Sequence, residues 1–358
     1  MPVPAPVPFN PDVEVLREDE AGTVARLNES FDEILETTSA DYNHGVRAVH
    51  AKAHAILEGT LTVDGTLPPE LAQGLFATPG THKVYARIST NPGDILDDAI
   101  ALPRGFALKV LDVEGDRLAG AEGTTQDFIM VNGTVFLVPH AEKFAGNLKL
   151  LAKTTDKAEG AKVGLSKILQ VVNGALGAVG LESAKLGNLG GAPQVDPLGE
   201  TYFSVTPFRY GDYIAKFRLR PLSPALTALT GEKIDTKDRP DAIRETVREE
   251  MAGIDGEWAF EVQLCRDLEK QPVEDPTVEW KEEDAPFVQV ATLRLPHQDS
   301  WEAAKVRAVD DAMRFSVWTG LAAHQPLGNI NRARRDTYRH SADFRAAANR
   351  CPIHEPAA

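Results

Sequence analysis

The chain has 358 residues, 42% hydrophobic and 25% charged, so it can bury a large core in one large domain or two ordinary ones. Its formal net charge of −15 repels phosphate backbones and anionic membrane surfaces, which argues against nucleic acid as a partner. The two cysteines are not clustered, so no disulfide framework is predicted, and the N-terminus lacks the basic and apolar stretches of a secretory signal. Charges interrupt the apolar region 163–189, so no integral membrane segment is predicted. We therefore expect a cytoplasmic protein.

In chain order, the hydrophobic periodicities predict a helix first and then a series of strands. Apolar residues spaced three and four apart over residues 13–37 indicate an amphipathic helix, which we expect to pack across the strands that follow. From residue 53 the period changes to two. Strands are predicted at 56–63, 83–89, 105–112, 127–138, 202–206, 215–219, 257–265 and 287–293.

Helical periodicity returns only in insertions, at 141–189 and 239–251, and from Trp301 onward. Because strands and helices do not alternate, the pattern favours an antiparallel barrel over a parallel doubly wound sheet. The sequence therefore predicts an α+β fold in a single domain over residues 1–358. Within it we expect a helical arm at 11–40, a barrel core at 50–295 with a helical insert at 141–191, and a C-terminal helical region at 301–350.

Arg334 and Tyr338 are four residues apart, so they would be neighbours on one face of a helix. A free phenol titrates near about 10, but a fixed guanidinium and a ferric ion both favour the phenolate, which is a hard anionic ligand for iron(III). The same spacing also occurs by chance on ordinary helices, so the pair needs support from the rest of the chain.

Four further segments provide that support, because with Arg334 and Tyr338 they follow the order found in catalases, and the chain resembles that family. The segments are 47–52 (Arg-Ala-Val-His-Ala-Lys), 87–90 (Arg-Ile-Ser-Thr), 103–109 (Pro-Arg-Gly-Phe-Ala-Leu-Lys) and 131–134 (Val-Asn-Gly-Thr). The match covers residues 41–345 apart from an insert at 146–191. It implies a short, catalase-related peroxidase with a catalase-like antiparallel β-barrel and haem b buried between the barrel and a C-terminal helix.

The resemblance assigns the iron and peroxide chemistry to five residues. Tyr338 would be the axial iron ligand, with Arg334 as its guanidinium partner. His50 and Asn132 would be the distal pair that acts on peroxide, and Ser89 would bind the second ring nitrogen of His50 and so set its tautomer.

The resemblance also implies five residues that contact the haem. Arg47, Arg87 and Arg345 match the positions that bind the propionates, to which guanidinium groups are suited. Val49, just before the distal histidine, is the residue seen in users of hydrogen peroxide. Phe144 would flank the distal channel, although the loop before it is one residue short.

Taken one at a time, these residues have simpler interpretations. A histidine before a strand is usually structural or at the surface, and Asn132 with Gly133 is an ordinary turn sequence. His50 and His54 are four apart, as zinc ligands on a helix can be, but the glutamate of a His-Glu-x-x-His motif is absent. Only the ordered set of segments favours haem.

After Tyr338 the sequence departs from the family pattern, so we expect a more open haem that admits organic substrates. The predicted function is a haem peroxidase that reduces hydrogen peroxide or organic hydroperoxides with an organic electron donor and keeps residual catalase activity. One alternative is a fatty-acid hydroperoxide lyase or isomerase of the allene oxide synthase type, and a weaker one is a haem-binding protein without turnover. A homodimer stays open, because one sequence reveals no self-complementary surface.

Overall fold

The structure is a computed structural model that describes residues 3–152 and 194–356. The helices of these residues are α1 (Glu20–Tyr42), α2 (Ala141–Ala152), α3 (Pro224–Thr227), α4 (Ala242–Met251), α5 (Ala303–Lys305) and α6 (Asn329–Asn349). The strands are β1 (Lys52–Val63), β2 (Gly80–Thr90), β3 (Arg104–Val110), β4 (Gln126–Val131), β5 (Tyr202–Phe203), β6 (Phe208–Tyr210), β7 (Tyr213–Pro221), β8 (Gly256–Leu264) and β9 (Phe287–Leu295). A π-helical segment, Val306–Asp311, follows α5. None of the described helices is long and apolar enough to cross a membrane.

The strands form a closed antiparallel barrel. Their order is β5-β4-β3-β2-β1-β9-β8-β7-β6, and β5 also pairs with β7, so eight strands close a ring and β6 lies beside β7 outside it. Closure removes the unpaired edges that an open sheet would expose. The predicted α+β architecture with an antiparallel barrel is confirmed.

Aromatic side chains fill the inside of the barrel. The ring centroid of Phe128 on β4 is 4.8 Å from that of Phe260 and 5.1 Å from that of Phe217, and Phe76 is 5.3 Å from Phe260. Trp258 is completely buried in the same cluster. The interior is therefore a packed core with its volume taken by side chains, so a large ligand must bind elsewhere.

The alternation of strand side chains places a second set of residues on the outer face of β2, β3 and β4. Ile88 on β2 belongs to the interior core, so Arg87 and Ser89 point outward. The register places Gly105 opposite Ser89 and Ala107 opposite Arg87. This outer face is the surface on which the site described below is built.

Helices α1, α2 and α6 pack together outside the barrel. Phe31 and Ile34 of α1 share a buried cluster with Ala145 of α2 and Ile330 of α6. The prediction that the N-terminal helix packs across the strands was wrong, because its apolar face meets these two helices. The helix also begins later than predicted, at Glu20, so Val15 and Leu16 are 66% and 72% exposed.

Other element boundaries differ from the sequence prediction for local reasons. Strand β4 ends at Val131, because Asn132 bonds back to Arg104 and the chain turns. Strand β6 was missed, since three residues are too few to show a period. The region from Trp301 contains α5, the π-helical segment and irregular chain before α6 begins. Of the predicted insert at 141–191, residues 141–152 are helical, and the remainder lies outside the described residues.

Replacing Phe128 by Ala should lower the free energy of unfolding by about 3–5 kcal/mol, because the cavity left among Phe76, Phe217 and Phe260 cannot collapse within a closed ring. Urea unfolding followed by tryptophan fluorescence measures the change. Val288→Ala on β9, where the side chain is 40% exposed, is the control and should cost less than about 1 kcal/mol. Equal losses in the two variants would contradict the packed interior.

Candidate functional site

Two adjoining cavities lie between the outer face of β2–β4 and helix α6. Their volumes are about 700 Å³ and about 1060 Å³, including the part open to solvent. Six residues line both cavities, so the two lie side by side. The shared residues are Phe31, Val49, His50, Ile129, Thr337 and Tyr338.

The phenol oxygen of Tyr338 is held by the neighbouring arginine of α6. Arg334 donates to it from Nη2 at 2.7 Å and from Nε at 3.0 Å. Nη1 of Arg334 in turn donates to Asn331 Oδ1 at 3.2 Å. The helix thus brings the predicted pair together and gives the phenol oxygen two charge-assisted donors.

The imidazole of His50 lies against strands β2 and β3. The residue has φ of 53°, a left-handed conformation that is unusual for a side chain of this size. Its Nδ1 atom is 3.3 Å from Ser89 Oγ. A Cβ atom added at Gly105 would lie 2.7 Å from Nδ1, so only glycine leaves room for the ring at that position of β3.

The protonation state of His50 follows from this setting. Burial, followed by the positive charges of Arg87 and Arg334, lowers the pKa of His50 to about 3. The ring is therefore neutral at neutral pH. Among the described residues Nε2 makes no hydrogen bond, so a neutral imidazole can accept a proton there if Nδ1 carries its hydrogen toward Ser89.

The three predicted propionate arginines form one cluster at the edge of the first cavity. Arg47, Arg87 and Arg345 all line that cavity. Arg47 Nη1 and Arg87 Nε both bond Oδ1 of Asp310, the latter at 2.8 Å, and Arg345 Nη1 donates to the Asp310 carbonyl at 3.0 Å. Asp310, in the π-helical segment, was not predicted as a site residue.

The side chains around this space fit a haem. Arg345 Nε is buried without a hydrogen-bond partner, so the arginine cluster has an unused donor of the kind that a carboxylate accepts. Phe31, Val49 and Ile129 supply apolar walls, and Tyr338 supplies a phenol oxygen. The described residues contain no group of three or more His, Cys, Asp or Glu side chains that could hold a bare metal ion.

Asn132 is bonded away from the cavities. Its Oδ1 accepts the backbone N–H of Arg104 at 2.8 Å, and its Nδ2 lies 2.9 Å from both carboxyl oxygens of Glu200. It is not among the residues that line either cavity, and its predicted role in orienting peroxide stays a prediction. Burial raises the pKa of Glu200 to about 7, although the Asn132 hydrogen bond opposes the rise.

The remaining predicted residues lie at the second cavity. Phe144 on α2 lines it, with its ring centroid 5.7 Å from that of Phe136, and Val49 lines both cavities. Three residues that the sequence analysis did not assign also shape the site, namely Gly105, Glu200 and Asp310. Gly105 lies within the catalase-like segment 103–109, but nothing in the local sequence distinguishes Glu200 or Asp310 from other acidic residues.

Glu200→Gln should change how stability depends on pH. Because the folded pKa of Glu200 is raised from 4.5 to about 7, the stability that its protonated carboxyl contributes is fully present below pH 4.5 and is lost as the pH rises through about 7. Wild type should therefore lose on the order of 2 kcal/mol more than Glu200→Gln between these limits. Urea unfolding at both pH values measures the difference.

The control for this experiment is Glu283→Gln, which removes a carboxylate whose side chain is 76% exposed. It should follow the wild-type pH dependence. If Glu200→Gln also follows it, the Glu200 carboxyl is not protonated in the folded protein at mildly acidic pH.

Comparison with solved structures identifies the fold. No family model matches the sequence, and no curated protein matches it significantly. A fungal catalase superposes with a TM-score of 0.59 at 17% identity over 88% of this chain and 62% of the catalase. Catalase A from Saccharomyces cerevisiae gives 0.59 at 16% identity over 87% and 64%. A bacterial catalase gives 0.56 at 16% identity over 98% and 66%.

The chain thus spans less than two thirds of the length of each of these catalases. At this level of identity the comparison concerns architecture alone. The chain has the catalase fold.

Proposed function

We propose that the chain is a haem-dependent peroxidase, which reduces hydrogen peroxide or organic hydroperoxides with electrons from an organic donor. The observation that carries the proposal is that two adjoining cavities are each lined both by Tyr338, whose phenol oxygen accepts two hydrogen bonds from a guanidinium group, and by a neutral His50. The catalase fold supports it, because catalases are its structural neighbours.

Tyr338 would hold the iron of haem b through its phenol oxygen, and Arg47, Arg87 and Arg345 would hold its carboxylates at the first cavity. When bound, the haem supplies the iron redox chemistry by which a peroxide O–O bond is cleaved. Arg334 keeps the phenol oxygen oriented through its two hydrogen bonds. The apolar walls exclude water from the reacting centre.

His50 would move the proton. With Nδ1 directed to Ser89, Nε2 takes the proton from the peroxide oxygen that reacts first and returns it to the oxygen that leaves. A base that is already neutral at neutral pH needs no prior deprotonation. Overall, a hydroperoxide ROOH takes up two electrons and two protons and becomes ROH and water, with the electrons supplied by two molecules of a one-electron donor.

The second cavity supports an organic substrate or donor over hydrogen peroxide alone. Its walls include Val131, Val135, Phe136 and Leu137, which offer hydrophobic contacts that hydrogen peroxide cannot use. We therefore assign donor oxidation as the main reaction and oxygen release as a residual one. A rate of oxygen release far above that of donor oxidation would contradict this assignment.

The haem ligand is tested by adding haem to the purified protein and following the Soret absorption of wild type and Tyr338→Phe. We expect a ferric high-spin spectrum in wild type, and in the variant a different spectrum with at least roughly tenfold weaker binding, because the phenol oxygen is lost. Tyr85→Phe, on the same outer face of β2, is the control and should match wild type. A wild-type protein that binds no haem would overturn the proposal.

The catalytic step is tested with His50→Ala. Its rate of donor oxidation by hydrogen peroxide should fall by about 10²–10⁴-fold, the usual contribution of a general acid–base group, while its haem affinity stays near wild type. His297→Ala, at a side chain 67% exposed, is the control. A haem-binding protein without turnover would show no such loss, because it would have no peroxide reaction to lose.

The apolar second cavity also favours one alternative, the rearrangement of a fatty-acid hydroperoxide. The same assay separates the two functions. Rearrangement consumes a lipid hydroperoxide without any electron donor, whereas a peroxidase needs the donor for each turnover. Product formation at full rate in the absence of donor would replace the peroxidase proposal by a lyase or isomerase.

A further inference from the structure

A carboxylate of the chain itself occupies the arginine cluster. Oδ1 of Asp310 is bonded by Arg47 Nη1 and, at 2.8 Å, by Arg87 Nε. The Asp310 side chain is 15% exposed, and that of Arg87 is 3% exposed. The ion pairs are therefore largely desolvated, which strengthens the direct Coulomb attraction between the charges.

The segment that carries Asp310 is held by the same arginines through its backbone. Arg345 donates to the carbonyls of Asp310, Asp311 and Met313 at 3.0 to 3.2 Å, and Arg47 Nη2 donates to the Met313 carbonyl at 3.2 Å. Residues 306–311 form a π-helical turn, an arrangement often found at functional positions. The contact of Asp310 with the cluster is thus built into a defined backbone.

The charges of the cluster do not cancel. Three guanidinium groups and one carboxylate, 3 − 1, leave two positive charges in the cluster. The neighbouring Asp311 carboxylate is directed elsewhere, to His44 Nε2 at 3.0 Å. The excess charge and the unused Arg345 Nε fit a ligand with two carboxylates.

Electrostatics also favours an ionised Asp310. Burial alone would raise the pKa of this carboxyl, but the guanidinium groups of Arg87 and Arg47 outweigh burial and hold the pKa well below its usual range. Asp310 is consequently an anion at every pH at which the chain would bind a carboxylate ligand, and it competes for the same donors.

We propose that Asp310 is a built-in competitor for the porphyrin carboxylates: it holds Arg47 and Arg87 in the free protein and gives up these bonds to an incoming ligand carboxylate. The inference rests on the haem site of the proposed function and adds a determinant of how tightly that site binds. The arginine cluster is then organised before the ligand arrives, at the cost of some affinity.

The test is the affinity for metal-free protoporphyrin IX, measured by its fluorescence on titration with protein, which does not depend on enzyme activity. Asp310→Asn keeps the side-chain shape and removes the competing charge, so it should bind at least roughly tenfold tighter than wild type. Asp311→Asn makes the same charge change at the adjacent residue and is the matched control, with affinity near wild type. The dimethyl ester of protoporphyrin, which lacks carboxylates, should bind wild type and Asp310→Asn equally.

Each other result decides against the inference. Unchanged binding by Asp310→Asn, with normal binding by wild type, would show that Asp310 does not compete with the ligand, and weaker binding would show that it positions the arginines for the ligand. In both cases the haem site itself would stand. Equal tightening for the dimethyl ester would show a general loosening of the cavity. No binding by any variant would contradict both the inference and the proposed haem site.

A second neutral variant, Asp310→Ser, keeps the test possible if Asp310→Asn does not fold, because serine leaves space for water between the arginines. It should show the same tightening as Asp310→Asn. If neither variant folds, Asp310 is an obligatory part of the cluster and cannot be a displaceable competitor, and the inference fails.

Discussion

The closed barrel limits where the described part of this chain can bind a cofactor. Among the described residues, the packed rings of Phe76, Phe128, Phe217 and Phe260 fill its interior and leave no cofactor-sized space there. Because side chains on a strand alternate between two faces, each residue that fills the core has neighbours that point outward. The outer face of β2–β4 is covered by helices, and the cavities form in the gap between these layers.

Electrostatics at this gap differs from that of the whole chain. The net charge is −15, yet Arg47, Arg87 and Arg345 meet at one edge of the first cavity, and Arg334 lies beside the second. The charges of Arg87 and Arg334 contribute to keeping His50 neutral, and the four arginines together make the cavities attractive to an anion with an apolar body. A porphyrin with two carboxylates has that combination of properties, which is why haem is the cofactor we propose.

Acidic side chains bind the arginines and the amide around the site. Asp310 holds two of the arginines, and Glu200 holds the amide of Asn132 on the side away from the cavities. Arg332 is bonded in the same way by Glu14, Glu20 and Glu274, which ties the N-terminal arm to the start of α6. Helix α6, with Arg334 and Tyr338, is therefore fixed at its first turn by charge pairs and along its length by packing against α1.

The sequence by itself predicted eight of the nine described strands, the antiparallel barrel and the pairing of Arg334 with Tyr338, because periods of two and of four residues are local properties. It also indicated His50 and Ser89 as neighbours, through motifs whose order resembles the catalases. Tertiary structure alone decided that α1 packs on helices, that Asn132 meets Glu200 and that Asp310 enters the arginine cluster. The Asn132–Glu200 contact joins residues 68 positions apart in the sequence, and the Arg87–Asp310 contact joins residues 223 positions apart. No local pattern encodes which distant acid a buried donor will reach.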